Sequence, residues 1–311
     1  MESNRANLVV FSETLANLAK ADPSVMVVTS DSRGSAKLVP FGESYPDQLV
    51  EVGIAEQNLV GISAGLASTG KKVFAVSPAC FLTARSLEQI KNDIAYSNNP
   101  VNVIGISGGV SYGALGSTHH SLHDIAVLRA INNIDIILPA DNFETQQAIL
   151  QSAASNHPVY IRFGKKAMQD IHKPNTKFKI GKAIVVCEGE DVAFIATGEA
   201  VYPAALAARQ LAAQGISSTV VSMHTIKPFD IDVLLQVAKR SRALITVEEH
   251  SIFGGLGEAC AGYLQEAGVH IPFKRVGIPD EHTVTGNQNE IFEHYGLSEN
   301  GLAKLAKSLL K

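Results

Sequence analysis

The sequence predicts an α/β protein of two domains, each a three-layer α/β/α sandwich. Two observations lead there: apolar strand-like runs alternate with amphipathic helical runs along nearly the whole chain, and the alternation lapses once, just past its middle. Length agrees, because 311 residues suffice for two domains of ordinary size, each with its own core. The first domain is placed at residues 1–166, a linker at 167–180 and the second domain at 181–311.

In the first domain strands are read at Val25–Thr29, Leu49–Val52, Lys72–Val76, Val101–Ile106, Ile134–Leu138 and Val159–Phe163. Continuous apolar runs of this kind mark a parallel sheet covered on both faces. Helices fall between them over Ala55–Thr69, Leu82–Asn98 and Phe143–Ser155, the last led by Asp141 and Glu144 at capping-box spacing. From Lys165 to Lys179 the pattern gives way to a Lys-rich stretch containing Pro174. A second series follows, with strands at Val192–Ala196, Ser218–Ser222, Ala243–Val247 and Phe273–Val276 in a mostly parallel sheet. Its helices are Val201–Gln214, Ile231–Lys239, Gly257–Ala267 and Ser298–Leu310.

A hydrophobic fraction of 46% with a mean hydropathy of +0.11 leaves apolar surface for a partner. Net charge of −4 gives no general attraction to nucleic acid or to an acidic membrane. Cys80, Cys187 and Cys260 are odd in number and widely spaced, the usage of reduced thiols in a cytoplasmic protein. Glu2 and Arg5 ahead of a polar-interrupted helix argue against a secretion signal. No run approaches the roughly 20 apolar residues of a membrane span.

The densest chemical signal is Val52-Gly53-Ile54-Ala55-Glu56-Gln57-Asn58, which puts one carboxylate in the first turn of a helix. The positive helix end and the apolar company of Val52, Ile54 and Leu59 act on it in opposite senses. A group so placed can share a proton with a ligand; taken alone, the heptapeptide also fits an ordinary first-turn glutamate. The loop Gly108–His120 follows a strand end, where open α/β sheets present ligand-facing groups, and its glycines allow close backbone approach.

VGIAEQN, FLTARSLEQIKNDIAYSNNPV from Phe81, GSTHHSLHDIAVLRAINNIDIILPAD from Gly116, PVYIRFGK from Pro158 and VEEHSIFGGLGEA from Val247 occur in this order. Together they resemble the C-terminal half of a transketolase, a pyrimidine-binding domain followed by a C-terminal domain, over essentially the whole chain. The 1-deoxyxylulose-5-phosphate synthases and the beta subunits of 2-oxoacid dehydrogenases share that architecture. The resemblance implies thiamine diphosphate as cofactor, with Glu56 bonding its pyrimidine nitrogen, Ile54 beside it and Phe81 against the ring. It implies His119 near the cofactor and the sugar hydroxyls, and Arg162 and Ser35 at the sugar phosphate. Arg162 is equally a candidate for a salt bridge at a strand end, and Arg85 for a phosphate contact or a solvated helix face. His120 and His123 are expected to cap a helix or lie on the surface, and Val247 to Gly257 to serve architecture and dimer contact rather than catalysis.

Two departures concern substrate. Leu115 stands where many transketolases carry an Asp that reads a sugar hydroxyl, and Ile106-Ser107-Gly108 where they carry a His-Asp pair. Both changes count against the ordinary pentose phosphates. The sequence also has no Gly-Asp-Gly motif, so the resemblance implies an N-terminal partner subunit that binds the diphosphate through Mg2+, in an α2β2 assembly. The expected activity is transfer of a two-carbon ketol unit from a ketose phosphate to an aldose phosphate, with a branched sugar such as apulose 4-phosphate as candidate donor. A 2-oxoacid dehydrogenase beta subunit or a 1-deoxyxylulose-5-phosphate synthase-like enzyme is the rival, and a regulatory α/β subunit the non-catalytic alternative.

Overall fold

The computed structural model describes residues 5–173 and 175–311, so Glu2 and Pro174 lie outside the described residues. The strands are β1 (Arg5–Ala6), β2 (Val25–Thr29), β3 (Leu49–Glu51), β4 (Lys72–Pro78), β5 (Val101–Ile106), β6 (Asp135–Ile137), β7 (Val159–Arg162) and β8 (Ala167–Met168). They continue as β9 (Ile184–Cys187), β10 (Val192–Ala196), β11 (Ser218–Ser222), β12 (Thr225–Lys227), β13 (Ala243–Ser251) and β14 (Phe273–Ile278). A seven-stranded sheet runs β12-β6-β7-β5-β4-β2-β3 and a five-stranded one β14-β13-β10-β11-β9. Each is parallel except for one antiparallel edge strand, β12 in the first and β9 in the second. Apart from Lys72, every residue of β2, β4, β5 and β7 is buried. That is the expected condition of parallel strands with helices on both faces.

Three features depart from the expected outline. First, β12 comes from the second half of the chain but pairs with β6 of the first sheet. Its three residues, Thr225-Ile226-Lys227, are too few to show a period. Second, β1 and β8 form a two-residue antiparallel ladder that returns residues 167–168 to the first domain before the chain crosses to the second. Third, the helix expected over Leu82–Asn98 is divided into Ala79–Arg85, Leu87–Gln89 and a π-helical run Ile90–Tyr96. Ser86, at the break, has φ −115° and its hydroxyl donates back to the Leu82 carbonyl. A serine bonded to the carbonyl four residues earlier competes with regular helix.

The cores are shared as well. Met26, Val28, Leu59, Val73 and Val103 of the first half belong to one apolar cluster with Ile195, Val221, Met223, Leu244 and Leu256 of the second. Ile226 on the crossing strand is in it too. Among the described residues no helix is long and apolar enough to cross a membrane.

Because the cluster spans both halves, Ile226→Ala is expected to lower stability by about 2–5 kcal/mol, the usual range for truncating a buried isoleucine. Hydrogen exchange should rise on strands of both sheets; a rise confined to one sheet would show the cores to be independent.

Candidate active site

The site is assembled at the carboxyl ends of β3, β4, β5 and β7. After β3 the chain turns through Gly53, whose φ of 72° favours glycine, and enters the helix Glu56–Ser68. Glu51 Oε1 fixes this turn by accepting from the backbone N–H of Gly53 at 3.0 Å and of Asp31 at 2.7 Å. Glu56 is thereby the first helical residue, only 5% exposed, with Oε1 accepting from Arg85 Nη1 at 2.8 Å. It lines an open depression with Ile54, Ala55, Gln57, Asn58 and Arg85. Ile54 is 75% exposed.

Arg85 connects this carboxylate to the next strand end. Its guanidinium carbon lies 4.5 Å from the centre of the Phe81 ring, and Phe81, half-buried, meets the His119 imidazole edge-on at 5.3 Å. Tyr112 also meets His119 edge-on, at 5.3 Å, and Lys165 Nζ stands 4.7 Å over the Tyr112 ring. Glu56, Arg85, Phe81 and His119 are therefore brought together in one contiguous group. Tyr112 and Lys165 extend it and were missed from the sequence. Both lie inside segments already singled out there, the glycine-rich loop and PVYIRFGK, where a ring and a cation following a strand end were the available signal.

The His119 loop contains a 3-10 turn, Gly113–Thr118, and His119 Nδ1 lies 2.9 Å from Thr118 Oγ1. Leu115 in that turn is 55% exposed. His120 corrects the expectation of a capping or surface role. It is buried, its Nε2 donates to the Gly113 carbonyl at 2.9 Å, and burial pushes its pKa down, so it holds the turn as a neutral ring. His123 takes the N-cap position of the helix Asp124–Arg129 without a side-chain capping bond; its Nε2 lies 3.3 Å from Thr83 Oγ1.

Arg162 lies inward. Its guanidinium is buried, donating to Asp124 Oδ1 at 3.1 Å and to the Glu249 carbonyl at 3.0 Å. Tyr160 OH donates to the other Asp124 oxygen at 2.6 Å. Burial alone would push Asp124 up, but the Arg162 charge, joined by the neighbouring histidines and the Tyr160 hydrogen bond, holds the carboxyl below the usual range. The salt-bridge alternative is thus the arrangement found. Ser35 is exposed, its hydroxyl donating to the Ser32 carbonyl at 3.1 Å, and it is not among the residues that line the Glu56 depression. Glu248 accepts from the N–H groups of Leu256 at 2.7 Å and Gly257 at 2.8 Å, fixing the start of the helix Leu256–Glu266.

A carboxyl at a helix start, an aromatic ring, an imidazole and a lysine at successive strand ends define an open α/β enzyme working at the carboxyl edge of its sheet. Residues 5–170 match the family model "Transketolase, pyrimidine binding domain" and residues 181–302 match "Transketolase, C-terminal domain". The chain belongs to the transketolase family. It is 48% identical to one of the subunits of an apulose-4-phosphate transketolase from Phocaeicola vulgatus, over 97% of this chain and 96% of that protein. It is 39% identical to the corresponding apulose-4-phosphate transketolase subunit of Actinobacillus succinogenes, over 98% and 97%. Among solved structures it resembles a split-gene transketolase described as an inactive beta4 tetramer, with TM-score 0.90, 32% identity and 98% of each chain covered.

Breaking the Arg162–Asp124 pair leaves an uncompensated buried carboxylate, so Arg162→Ala should cost about 3–5 kcal/mol in chemical denaturation. A residue serving only as a phosphate contact would leave stability near wild type and raise KM instead.

Proposed function

We propose that this chain is one subunit of a two-chain transketolase, moving a two-carbon ketol unit from a ketose phosphate to an aldose phosphate with thiamine diphosphate as cofactor. The observation that carries the reading is Glu56, a buried carboxyl at a helix start that faces an open depression and is joined through Arg85 and Phe81 to His119. These residues suit a heteroaromatic ring bearing a basic nitrogen. Ile54 and Phe81 offer apolar and flat surface, and Glu56 offers a carboxyl that holds a proton at the ring nitrogen. When bound, thiamine diphosphate supplies the carbanion chemistry of ketol cleavage and transfer. His119 contributes an imidazole that accepts or donates a proton at the sugar hydroxyls. Lys165 supplies a further cation for the sugar phosphate.

With no Gly-Asp-Gly motif in the sequence, Mg2+ and the diphosphate are assigned to an N-terminal partner subunit in an α2β2 complex. The three free cysteines suit a cytoplasmic enzyme. Likeness to two apulose-4-phosphate transketolase subunits, together with apolar Leu115 at the loop's exposed edge, favours a branched ketose phosphate as donor. The test reconstitutes this chain with a diphosphate-binding partner, thiamine diphosphate and Mg2+, and follows two-carbon transfer from apulose 4-phosphate to an aldose phosphate. A cofactor-loaded complex that transfers no ketol from any ketose phosphate would overturn the reading.

Within that complex Glu56→Gln should lower kcat by about 10²–10⁴-fold, the range of a lost proton-transfer group. Its effect on stability should stay under about 1 kcal/mol, as for a charge at a helix start. Lys165→Ala should raise KM for a phosphorylated donor about ten-fold, equivalent to ~1.4 kcal/mol. An unphosphorylated ketose should be indifferent to that change, and equal losses on both donors would remove Lys165 from the phosphate site.

A further inference from the structure

The loop that carries Tyr112 and His119 is held from outside its own domain. Val110 is fully buried, and it clusters with Val192, Phe194, Val247 and Ile278 of the second domain. Its backbone N–H donates to Glu249 Oε1 at 2.9 Å. The Glu249 side chain also fills the place where a side chain on Gly109 would stand, at a backbone φ of 61° that favours glycine. Gln288 Nε2 donates both to that same Glu249 oxygen, at 2.8 Å, and to Glu199 Oε2, at 3.0 Å.

The neighbouring stretch 283–288 lies along the rest of the loop. Ser117 Oγ and Thr283 Oγ1 are 3.1 Å apart, Thr285 covers Gly116, and the Gly286 carbonyl abuts Gly113 so closely that no side chain fits between. This stretch is itself fixed. Asn287 and Glu290 form a reciprocal capping box, and the Val284 N–H donates to Tyr295 OH at 3.1 Å.

We propose that Glu249, together with the strap 283–288, is a positioning device by which the second domain sets the 108–120 loop, and with it Tyr112 and His119, against Glu56. The proposal rests on the reading above for what His119 does, and adds what places it there. Glu249 acts only through Val110 and Gly109. A loop with glycines at 108, 109, 113 and 116 has many conformations to lose. External contacts at Gly109, Val110, Gly113, Gly116 and Ser117 select one of them. Burial, and then the neighbouring Glu199 charge, push the Glu249 carboxyl up to about 8, so a neutral amide of the same shape is its natural substitute near neutrality.

The test compares Glu249→Ala with Glu249→Gln in the full complex with partner subunit and thiamine diphosphate. The alanine variant should lower kcat/KM about 10- to 100-fold, the scale of a roughly 1 Å misplacement. Amide exchange should rise over residues 108–121 and stay at wild type over residues 49–68, with cofactor affinity unchanged. Glutamine should restore both loop protection and most of the activity. Wild-type loop exchange in the alanine variant would overturn the proposal, as would exchange rising throughout both domains with no rescue by glutamine. Should the alanine variant fail to fold, Gln288→Ala removes the strap's link while leaving Glu249 in place. The same rise over 108–121 is then expected, and its absence refutes the proposal. Exchange needs no turnover, so a wrong assignment of the reaction would leave this readout standing and show as failure of transfer alone.

Discussion

The buried Arg162–Asp124 ion pair is the constraint to which the surrounding segments are referred. Taking two charges out of water costs several kcal/mol per ion, and the attraction between them offsets this only when the remaining hydrogen bonds are made. Here they are, by Tyr160 OH on the carboxylate and by the Glu249 carbonyl on the guanidinium. These groups come from β7, from the helix that follows the His119 loop, and from β13 of the second domain. Satisfying one ion pair thus fixes a strand end, the exit of the loop and the seam between domains.

The same seam gathers more acid than base, and its protonation states relieve the excess. Burial pushes Glu248 up to about 7 and, with the help of the Glu199 charge, Glu249 up to about 8. His250, 3.9 Å from Asp124, is pushed down to about 4 by burial and stays neutral. Near neutrality Asp124 therefore faces Arg162 with little competing charge. Glu249, acting mainly as a neutral acceptor, can bind the loop N–H without repelling its acidic neighbours.

Fold class was legible because parallel strands buried on both faces write themselves as apolar runs, and Val25–Thr29, Val101–Ile106, Val192–Ala196 and Ser218–Ser222 form over those same residues. What escaped is non-local or very short. Strand β12 has three residues and a partner about ninety positions away. The Glu56 group was legible through the strand-to-helix signature of VGIAEQN. The fate of Arg162 was not, because whether a guanidinium points outward or inward depends on Asp124 and Glu249, 38 and 87 residues distant. His120 escaped for the same reason. A histidine beside a functional one reads as surface until the turn it buries against is known.

The division between buried and exposed groups bears on the proposed partnership. Residues that fix geometry, Asp124, Tyr160, Arg162 and Glu249, are all buried. Those that face outward include Ile54 and Leu115, large apolar side chains that water solvates poorly. Arg85 stands between the two sets, anchored to Glu56 and laid over Phe81 with about half its side chain in solvent. That half-solvated side chain leaves one side of the Glu56 carboxyl accessible from the depression. The carboxyl is thus walled on one side by its own helix and open on the other. In the proposed complex that open side is closed by a second polypeptide, which dries the depression and strengthens the proton-sharing contact to the ring that Glu56 is placed to make.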